Sequence, residues 1–317
     1  MKLIIQIPCL NEEESLPKTL AALPKHIDGI DAIEVLVIDD GSTDKTSEIA
    51  KANGVDHVIR LTKRKGLARA FHTGLDACLK RGADIIVNTD ADGQYKGEDI
   101  TRLVKPILDG KADIVIGNRD IENIKQFSWL KKRLQRIGTA VVRQLAGSKI
   151  QDATTGFRAY NKEAALRLNI ISDYTYTLES IIQAEHKALA IENITININD
   201  VKRPSRLFKN IPEYIKRSIV TIIRVYAMYN PLRLFLTFGT IFLFSGFLIG
   251  CRFLYFYLLG EGGGKIQSLI LAAALLIIGF QLLVVGLVSD LISANRRLME
   301  EALLRIKKIE LSKNQNT

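Results

Sequence analysis

Residues 84–94 read Asp-Ile-Ile-Val-Asn-Thr-Asp-Ala-Asp-Gly-Gln, a short β-branched run that ends in two aspartates one residue apart. Such a run, bounded by turn formers, reads as a strand. Three more have the same character: Leu-Ile-Ile-Gln-Ile at 3–7, Glu-Val-Leu-Val-Ile at 34–38 and Asp-Ile-Val-Ile at 113–116. Between them lie stretches with helical spacing. Thr46 to Ala52 stops at Asn53-Gly54, and Gly66 to Lys80 repeats apolar residues at helical intervals before Gly82. Strands alternating with helices of this length imply βαβ units, hence a mostly parallel α/β sheet covered on both faces.

In an open sheet of this kind, ligands bind at the carboxyl ends of the strands. Those ends carry Pro8-Cys9-Leu10-Asn11-Glu12, Asp39-Asp40-Gly41-Ser42-Thr43-Asp44, Asp90-Ala91-Asp92-Gly93-Gln94 and Gly117-Asn118-Arg119. In extended backbone Asp90 and Asp92 share a face. Two such carboxylates suit a divalent cation with oxygen ligands, Mg²⁺ or Mn²⁺, which neutralises charge on a departing diphosphate. Acidic pairs are common in a chain with 34 acids and are often solvated turn residues; the placement after a buried strand favours the metal reading. Asp-Gly is also turn chemistry. Ser42, Thr43 and Asp44 are expected to cap the next helix, and Asp39 or Asp40 to reach a nucleotide. The chain has no G-x-G-x-x-G and no Walker A sequence, which removes the main support for nicotinamide or P-loop chemistry.

The carboxyl-terminal third is different in kind. Leu234 to Cys251 is eighteen residues without a charge, and Ile266 to Ser289 is twenty-four. Each matches the ~20 residues an apolar helix needs to span a bilayer, and Gly260 to Gly264 supplies the turn of a hairpin. Lys202 to Arg224 holds seven Lys/Arg against one acid, and Arg296, Arg297, Arg305, Lys307 and Lys308 follow the second span. The positive-inside rule then puts both ends of the hairpin and the amino-terminal domain in the cytoplasm. Lys2 and the short run after it read as a first strand rather than a signal peptide. Cys9, Cys78 and Cys251 have no metal-type spacing and are expected to be reduced packing residues. The net charge of +10 calls for an anionic partner. Nucleic acid fits poorly, because the basic residues sit beside the spans rather than among exposed aromatics.

These motifs have a collective resemblance. Ile-Pro-Cys-Leu-Asn-Glu-Glu at 7–13, Val-Ile-Asp-Asp-Gly-Ser-Thr-Asp at 37–44 and Asp-Ala-Asp-Gly-Gln at 90–94 resemble family 2 glycosyltransferases. Gly-Asn-Arg at 117–119 and Asp-Ala-Thr-Thr-Gly-Phe-Arg-Ala-Tyr at 152–160 resemble the dolichol-phosphate mannose synthase-like, polyprenyl-phosphate branch. The likeness covers the chain to about residue 225. It implies a glycosyltransferase-A (Rossmann-like) fold for the catalytic domain, placed at 1–208; charge and hydropathy patterning add an amphipathic interface helix at 209–230, a transmembrane hairpin at 231–290 (about 232–255 and 266–289) and a cytoplasmic helix and tail at 291–317. It further implies a nucleotide-sugar donor held by Pro8, Asn11, Glu12, Asp39, Asp40, Lys65, Asp90 and Ala91. Asp90, Asp92 and Gln94 would serve the metal and diphosphate, and Asp92, Gln94, Asp152 and Arg119 the reacting centre. No Gln-x-x-Arg-Trp is present, which argues against processive polysaccharide synthases. Thr155-Gly156-Phe157-Arg158 stands where relatives often have Ser-Gly-Phe-Arg, and Tyr95-Lys96-Gly97 where they frequently have prolines.

The acceptor is read from basic helices. Asn123 to Gln151 contains seven Lys/Arg and no acid, with Trp129, Leu130, Leu134, Ile137, Val141, Val142 and Leu145 near helical spacing; Lys209 to Tyr229 repeats the theme. Both suit an anionic bilayer surface, and their bland alternative is a solvated face packed on the sheet. Arg119, Arg133 or Arg136, together with Arg203, Ser205 and Arg206, are the candidates for holding a polyprenyl phosphate. Such an acceptor is already an anion and needs no strong general base, so in-line displacement with inversion is expected. The alternatives are a same-fold transferase acting on a saccharide or protein, and a non-catalytic binder of anionic lipid, which leaves Asp39, Asp90 and Asp92 unexplained. A homo-oligomer is possible through the helix at Leu291 to Leu311.

Overall fold

Strand β1 (Lys2–Cys9) is buried along seven of its eight residues, as a strand covered on both faces must be. It lies between β2 (Ala32–Asp39) and β4 (Ile85–Asn88), parallel to both, with Leu3 opposite Ile33 on one side and Ile85 on the other. Beyond β2 lies β3 (His57–Arg60), also parallel. Beyond β4 the pattern changes: β6 (Arg158–Asn161) is inserted antiparallel between β4 and β5 (Ile114–Arg119), and β7 (Ile191–Ile196) pairs parallel with β5. The seven-stranded order is β3-β2-β1-β4-β6-β5-β7. The computed structural model describes residues 1–119, 150–171, 176–199, 226–260 and 262–315, with single helical positions at 139, 143, 219, 220, 223 and 224.

The connecting helices are α1 (Leu16–Ala21), α2 (Thr46–Ala52), α3 (Leu67–Lys80), α4 (Asp99–Leu108), α5 (Lys162–Arg167) and α6 (Tyr176–His186). Helix α3 shows why the sequence folds this way. Ala68, Phe71, Leu75 and Cys78 recur at three- and four-residue intervals and are all buried, a stripe that packs on the sheet. Helix α2 ends at Asn53-Gly54 as its stop signal demands.

The described residues fall into two compact units, Met1–Ile222 with Leu303–Thr317, and Ile223–Ala302. In the first unit the final helical turns lie on the α/β layer. Leu304 is buried there, and Lys307 pairs with Asp76, Lys308 with Glu163 and Glu310 with Lys80 at 3.5, 2.9 and 3.0 Å. The second unit holds α7 (Pro231–Leu258), a short 3₁₀ turn at Gly262–Gly264 and most of α8 (Ile266–Gln315). Among the described residues two helices are long and apolar enough to cross a membrane, Pro231–Leu258 and Ile266–Lys313, with mean hydropathies of 2.1 and 2.7. Only 11% and 17% of their most apolar windows is buried, which is far too little for core helices of a soluble domain. Helix α8 runs without interruption to Gln315, through the residues expected to follow the second span. Cys9 and Cys78 pack as expected, whereas Cys251 lies exposed on α7.

Candidate active site

Because β1, β2, β4 and β5 run in one direction, their carboxyl ends share one edge of the sheet. The first two are tied together by side chains. Asn11, in the left-handed region at φ 56°, accepts the Thr43 N–H through Oδ1 at 2.8 Å, and its own N–H donates to Ser42 Oγ at 2.9 Å. The Glu12 N–H donates to Thr46 Oγ1 at 2.9 Å, and its carboxylate accepts the Ser15 hydroxyl. Pro8 is buried within β1 opposite Ile38. Asp44 accepts the Thr46 N–H at 3.0 Å just before α2, while Ser42 and Thr43, also expected to cap, bind Asn11 instead.

Asp39 and Asp40 organise loops. Asp39 is fully buried and accepts the Ser42 N–H at 2.7 Å and the Ser47 hydroxyl. Asp40 accepts the N–H groups of Lys65 at 2.7 Å and Gly66 at 2.8 Å, binding the end of β2 to the start of α3. The Lys65 side chain itself is exposed. A side chain at Gly41 would come within 2.7 Å of the Arg64 nitrogen, at a φ of 74° that favours glycine. Both carboxylates therefore hold the loops that follow β2 and lead into α3.

The β4 and β5 ends supply the charged centre. After β4, Asp92 accepts the Gln94 N–H at 2.9 Å, and the carbonyl of buried Ala91 accepts the Thr19 hydroxyl at 3.0 Å. At the end of β5, Arg119 grips Asp152 with two bonds, Nε to Oδ2 at 2.7 Å and Nη2 to Oδ1 at 3.2 Å, and donates to Thr154 Oγ1 at 2.8 Å. Asp152 is fully buried and Arg119 nearly so. Burial alone would raise the Asp152 carboxyl; the Arg119 charge and its hydrogen bonds outweigh it and hold the group below the usual carboxylate range. Asp152 is thus an anion held on Arg119 by two hydrogen bonds, which orient the guanidinium.

Asp90 is the opposite case. Burial first, and the Asp92 carboxylate second, push it up to about 7, against the opposing pull of Arg119 and a hydrogen bond from Tyr95. Two crowded carboxylates of this kind gain most from a divalent cation between them. Among the described residues no group of three or more His, Cys, Asp and Glu forms a complete cage. Asp90 and Asp92 offer oxygen donors only, which suits a divalent cation such as Mg²⁺ or Mn²⁺ whose other positions substrate phosphates and water would fill. Gln94 lies half-buried beside Asp92. Arg133, Arg136, Arg203, Ser205 and Arg206, and the greater part of the basic stretches at 123–151 and 209–229, lie outside the described residues.

Several residues that shape the site had no role in the sequence reading. Arg158 is fully buried and donates to the carbonyls of Ala153, Thr155 and Thr177 and to Ser180 Oγ, so it holds the 152–155 loop in place. Asn88 donates to the Gly156 carbonyl and to Tyr176 Oη, both at 2.8 Å. Tyr95, buried and stacked on Phe157 with centroids 4.9 Å apart, reaches the same loop. The one available signal was the alternation of polar residues inside otherwise apolar strands, which marks buried hydrogen-bonding layers.

Comparison with known proteins agrees with this geometry. A family model for glycosyl transferase family 2 matches residues 4–168 of the 317. An undecaprenyl-phosphate mannosyltransferase of Micrococcus luteus is 32% identical, over 64% of this chain and 85% of its own. A UDP-N-acetylglucosamine–dolichyl-phosphate N-acetylglucosaminyltransferase of Methanococcus voltae is 30% identical, over 60% and 82%. Among solved structures, glucosyl-3-phosphoglycerate synthase from Mycobacterium tuberculosis, crystallised with Mn²⁺, UDP and phosphoglyceric acid, aligns with a TM-score of 0.57 at 19% identity, over 71% of this chain and 78% of that one. That likeness establishes the glycosyltransferase-A fold for the mixed, mostly parallel sheet. With more than half of its length matched and the acidic edge where the fold requires it, the chain belongs to glycosyl transferase family 2.

Proposed function

We propose that this protein transfers a sugar, with inversion, from a UDP- or GDP-linked donor to a polyprenyl phosphate, dolichyl or undecaprenyl, at the cytoplasmic face of a membrane. The observation that carries the reading is the pairing of two chemistries on one chain: the Asp90/Asp92 edge beside the buried Arg119–Asp152 pair, and two largely unburied apolar helices that follow it. The named activities of the relatives point to the same acceptor class. In this reading 1–208 is the catalytic domain, 209–230 lies along the interface, 231–290 spans as a hairpin, and 291–317 returns to the cytoplasm with both termini there.

Each residue has a task. The β1–α1 and β2–α2 loops, laced together through Asn11, Glu12 and Asp39, form the nucleotide cleft. Asp90 and Asp92, with Gln94 beside them, hold Mg²⁺ or Mn²⁺, which supplies charge neutralisation for the departing diphosphate. Arg119, fixed by Asp152, presents a permanent positive charge to phosphate oxygens near the reacting carbon. A phosphate monoester anion attacks without losing a proton, which agrees with a centre where the buried Asp152 carboxylate is committed to an arginine. Rate enhancement then comes from positioning and preorganised charge.

The test is to supply membranes containing the protein with radiolabelled UDP- and GDP-sugars, with and without added polyprenyl phosphate. Label that enters the organic-extractable lipid in proportion to the added polyprenyl phosphate supports the reading. Label found only in aqueous saccharide or in protein refutes the acceptor.

A further inference from the structure

The peptide at Gly156 is held from both sides, and the two holds differ in what they touch. Its carbonyl accepts from Asn88 Nδ2 at 2.8 Å and from the Tyr176 hydroxyl at 3.3 Å. Its N–H donates to Tyr95 Oη at 3.3 Å. The space around it is closed: a Cβ there would meet Tyr176 Oη at 2.8 Å and the two Asp90 carboxylate oxygens at 3.0 and 3.1 Å. Gly156 thus lets the 152–157 loop press directly against the Asp90 carboxylate.

Tyr95 occupies the junction. A phenol hydroxyl has one proton to give and two lone pairs to receive. Both receiving positions are taken, by the Gly156 N–H and by the Thr155 hydroxyl at 3.4 Å, long contacts that fix direction more than strength. Thr155 is itself oriented by accepting the Phe157 N–H at 3.3 Å. The Tyr95 proton is left for Asp90, whose carboxylate oxygens lie against the same Gly156 whose N–H the hydroxyl accepts. The ring is immobilised independently by its stack on Phe157, 11° from parallel, and by the bridge between Tyr95 and Ile198.

We propose that Tyr95 is the positioning residue of the metal site: its hydroxyl, aimed by Thr155 and the Gly156 N–H, fixes which way the Asp90 carboxylate faces and so presets the cation site. The proposal rests on the assignment of Asp90 and Asp92 as the metal carboxylates. Tyr95 acts through Asp90 and does not touch the reacting atoms. Groups that orient metal ligands in this way are worth about 10–100-fold in metal affinity.

The experiment uses the full-length protein in detergent, titrated with Mn²⁺ in the presence of UDP or of GDP and followed by the electron paramagnetic resonance of free Mn²⁺. Tyr95→Phe keeps the ring and its stack and removes only the hydroxyl. It is expected to bind Mn²⁺ about tenfold more weakly than wild type, while still unfolding cooperatively without metal although the Gly156 N–H loses its acceptor. Its transfer rate should recover at high Mn²⁺. Wild-type Mn²⁺ affinity in Tyr95→Phe overturns the proposal. If that variant does not fold, Thr155→Val carries the test by removing the hydroxyl that aims Tyr95; a severalfold loss supports the proposal and wild-type affinity overturns it. Asp92→Asn separates the two levels. If it binds Mn²⁺ as wild type does, the metal assignment itself fails; if it loses Mn²⁺ while Tyr95→Phe keeps it, only the role of Tyr95 fails.

Discussion

Replacing Asp152 with Asn tests how the centre is held together. The carboxylate is fully buried and bonded twice to Arg119, which is itself 8% exposed. Asn keeps the size and one acceptor but leaves the guanidinium charge buried without a counter-charge. Breaking one half of a buried pair costs about 3–5 kcal/mol, most of it the penalty of the orphaned charge. At about 2–4 °C per kcal/mol for a domain of this size, the melting temperature of the catalytic unit should fall by roughly 6–20 °C. Thermal unfolding of the detergent-solubilised protein, followed by tryptophan fluorescence and limited proteolysis, measures it. The double variant Arg119→Met with Asp152→Leu removes both charges and should recover most of the loss, though not the activity. The carboxyl is held below its usual value, so its contribution is present above about pH 3.8 and is lost as pH falls through the folded value. Asp152→Asn should lack that acid-side slope. An Asp152→Asn protein melting within about 2 °C of wild type, or a double variant whose loss equals the sum of the singles, would refute the reasoning.

Two further outcomes are expected. Gly156→Ala forces a methyl against Tyr176 Oη and the Asp90 oxygens, so it should cost about 1–3 kcal/mol in urea unfolding and depress transfer. His72, on α3, has its pKa lowered by burial first, with Lys307 and Arg69 adding to this and Asp76 and Glu179 opposing it. A depressed imidazole gives stability that is present above the unfolded value of about 6.5 and lost as pH falls through the folded one. Melting temperature should therefore decline on acidification below about pH 6.5, and His72→Gln should flatten that decline; an unchanged profile contradicts the assignment.

The sequence was most legible where one physical signal ruled. The runs that became β1, β2, β4 and β5 are apolar and β-branched because both faces of the sheet are covered, and α2 and α3 announced themselves by a turn signal at one end and a regular apolar stripe. β6 gave no such signal: Arg158-Ala-Tyr-Asn is short and half polar, and its antiparallel insertion depends on partners far along the chain. The end of the span expected near residue 290 rests on the loss of apolar residues. Loss of hydrophobicity ends a membrane span without ending a helix, and no Gly or Pro follows Gly286, so α8 continues. At the site, sequence position identified which carboxylates lie on the edge but not what they accept from. Asp39 and Asp40 turn toward backbone N–H groups, as their Asp-Asp-Gly-Ser setting allows, while Asp90 and Asp92 remain the crowded pair. Tyr95 was visible only as a departure from a proline-containing pattern, because a buried phenol's partners come from a loop sixty residues away.

The central claim is that the Asp90/Asp92 edge drives metal-assisted sugar transfer to a polyprenyl phosphate. Its most direct measurement compares wild type and Asp92→Asn in membranes, scoring radiolabelled sugar in organic-extractable lipid before chelation, after chelation and after Mn²⁺ or Mg²⁺ is restored. The account predicts transfer by the wild type that chelation abolishes and metal restores, and none by Asp92→Asn although that variant still inserts in the membrane. Wild-type turnover by Asp92→Asn, or transfer indifferent to chelation, would contradict it.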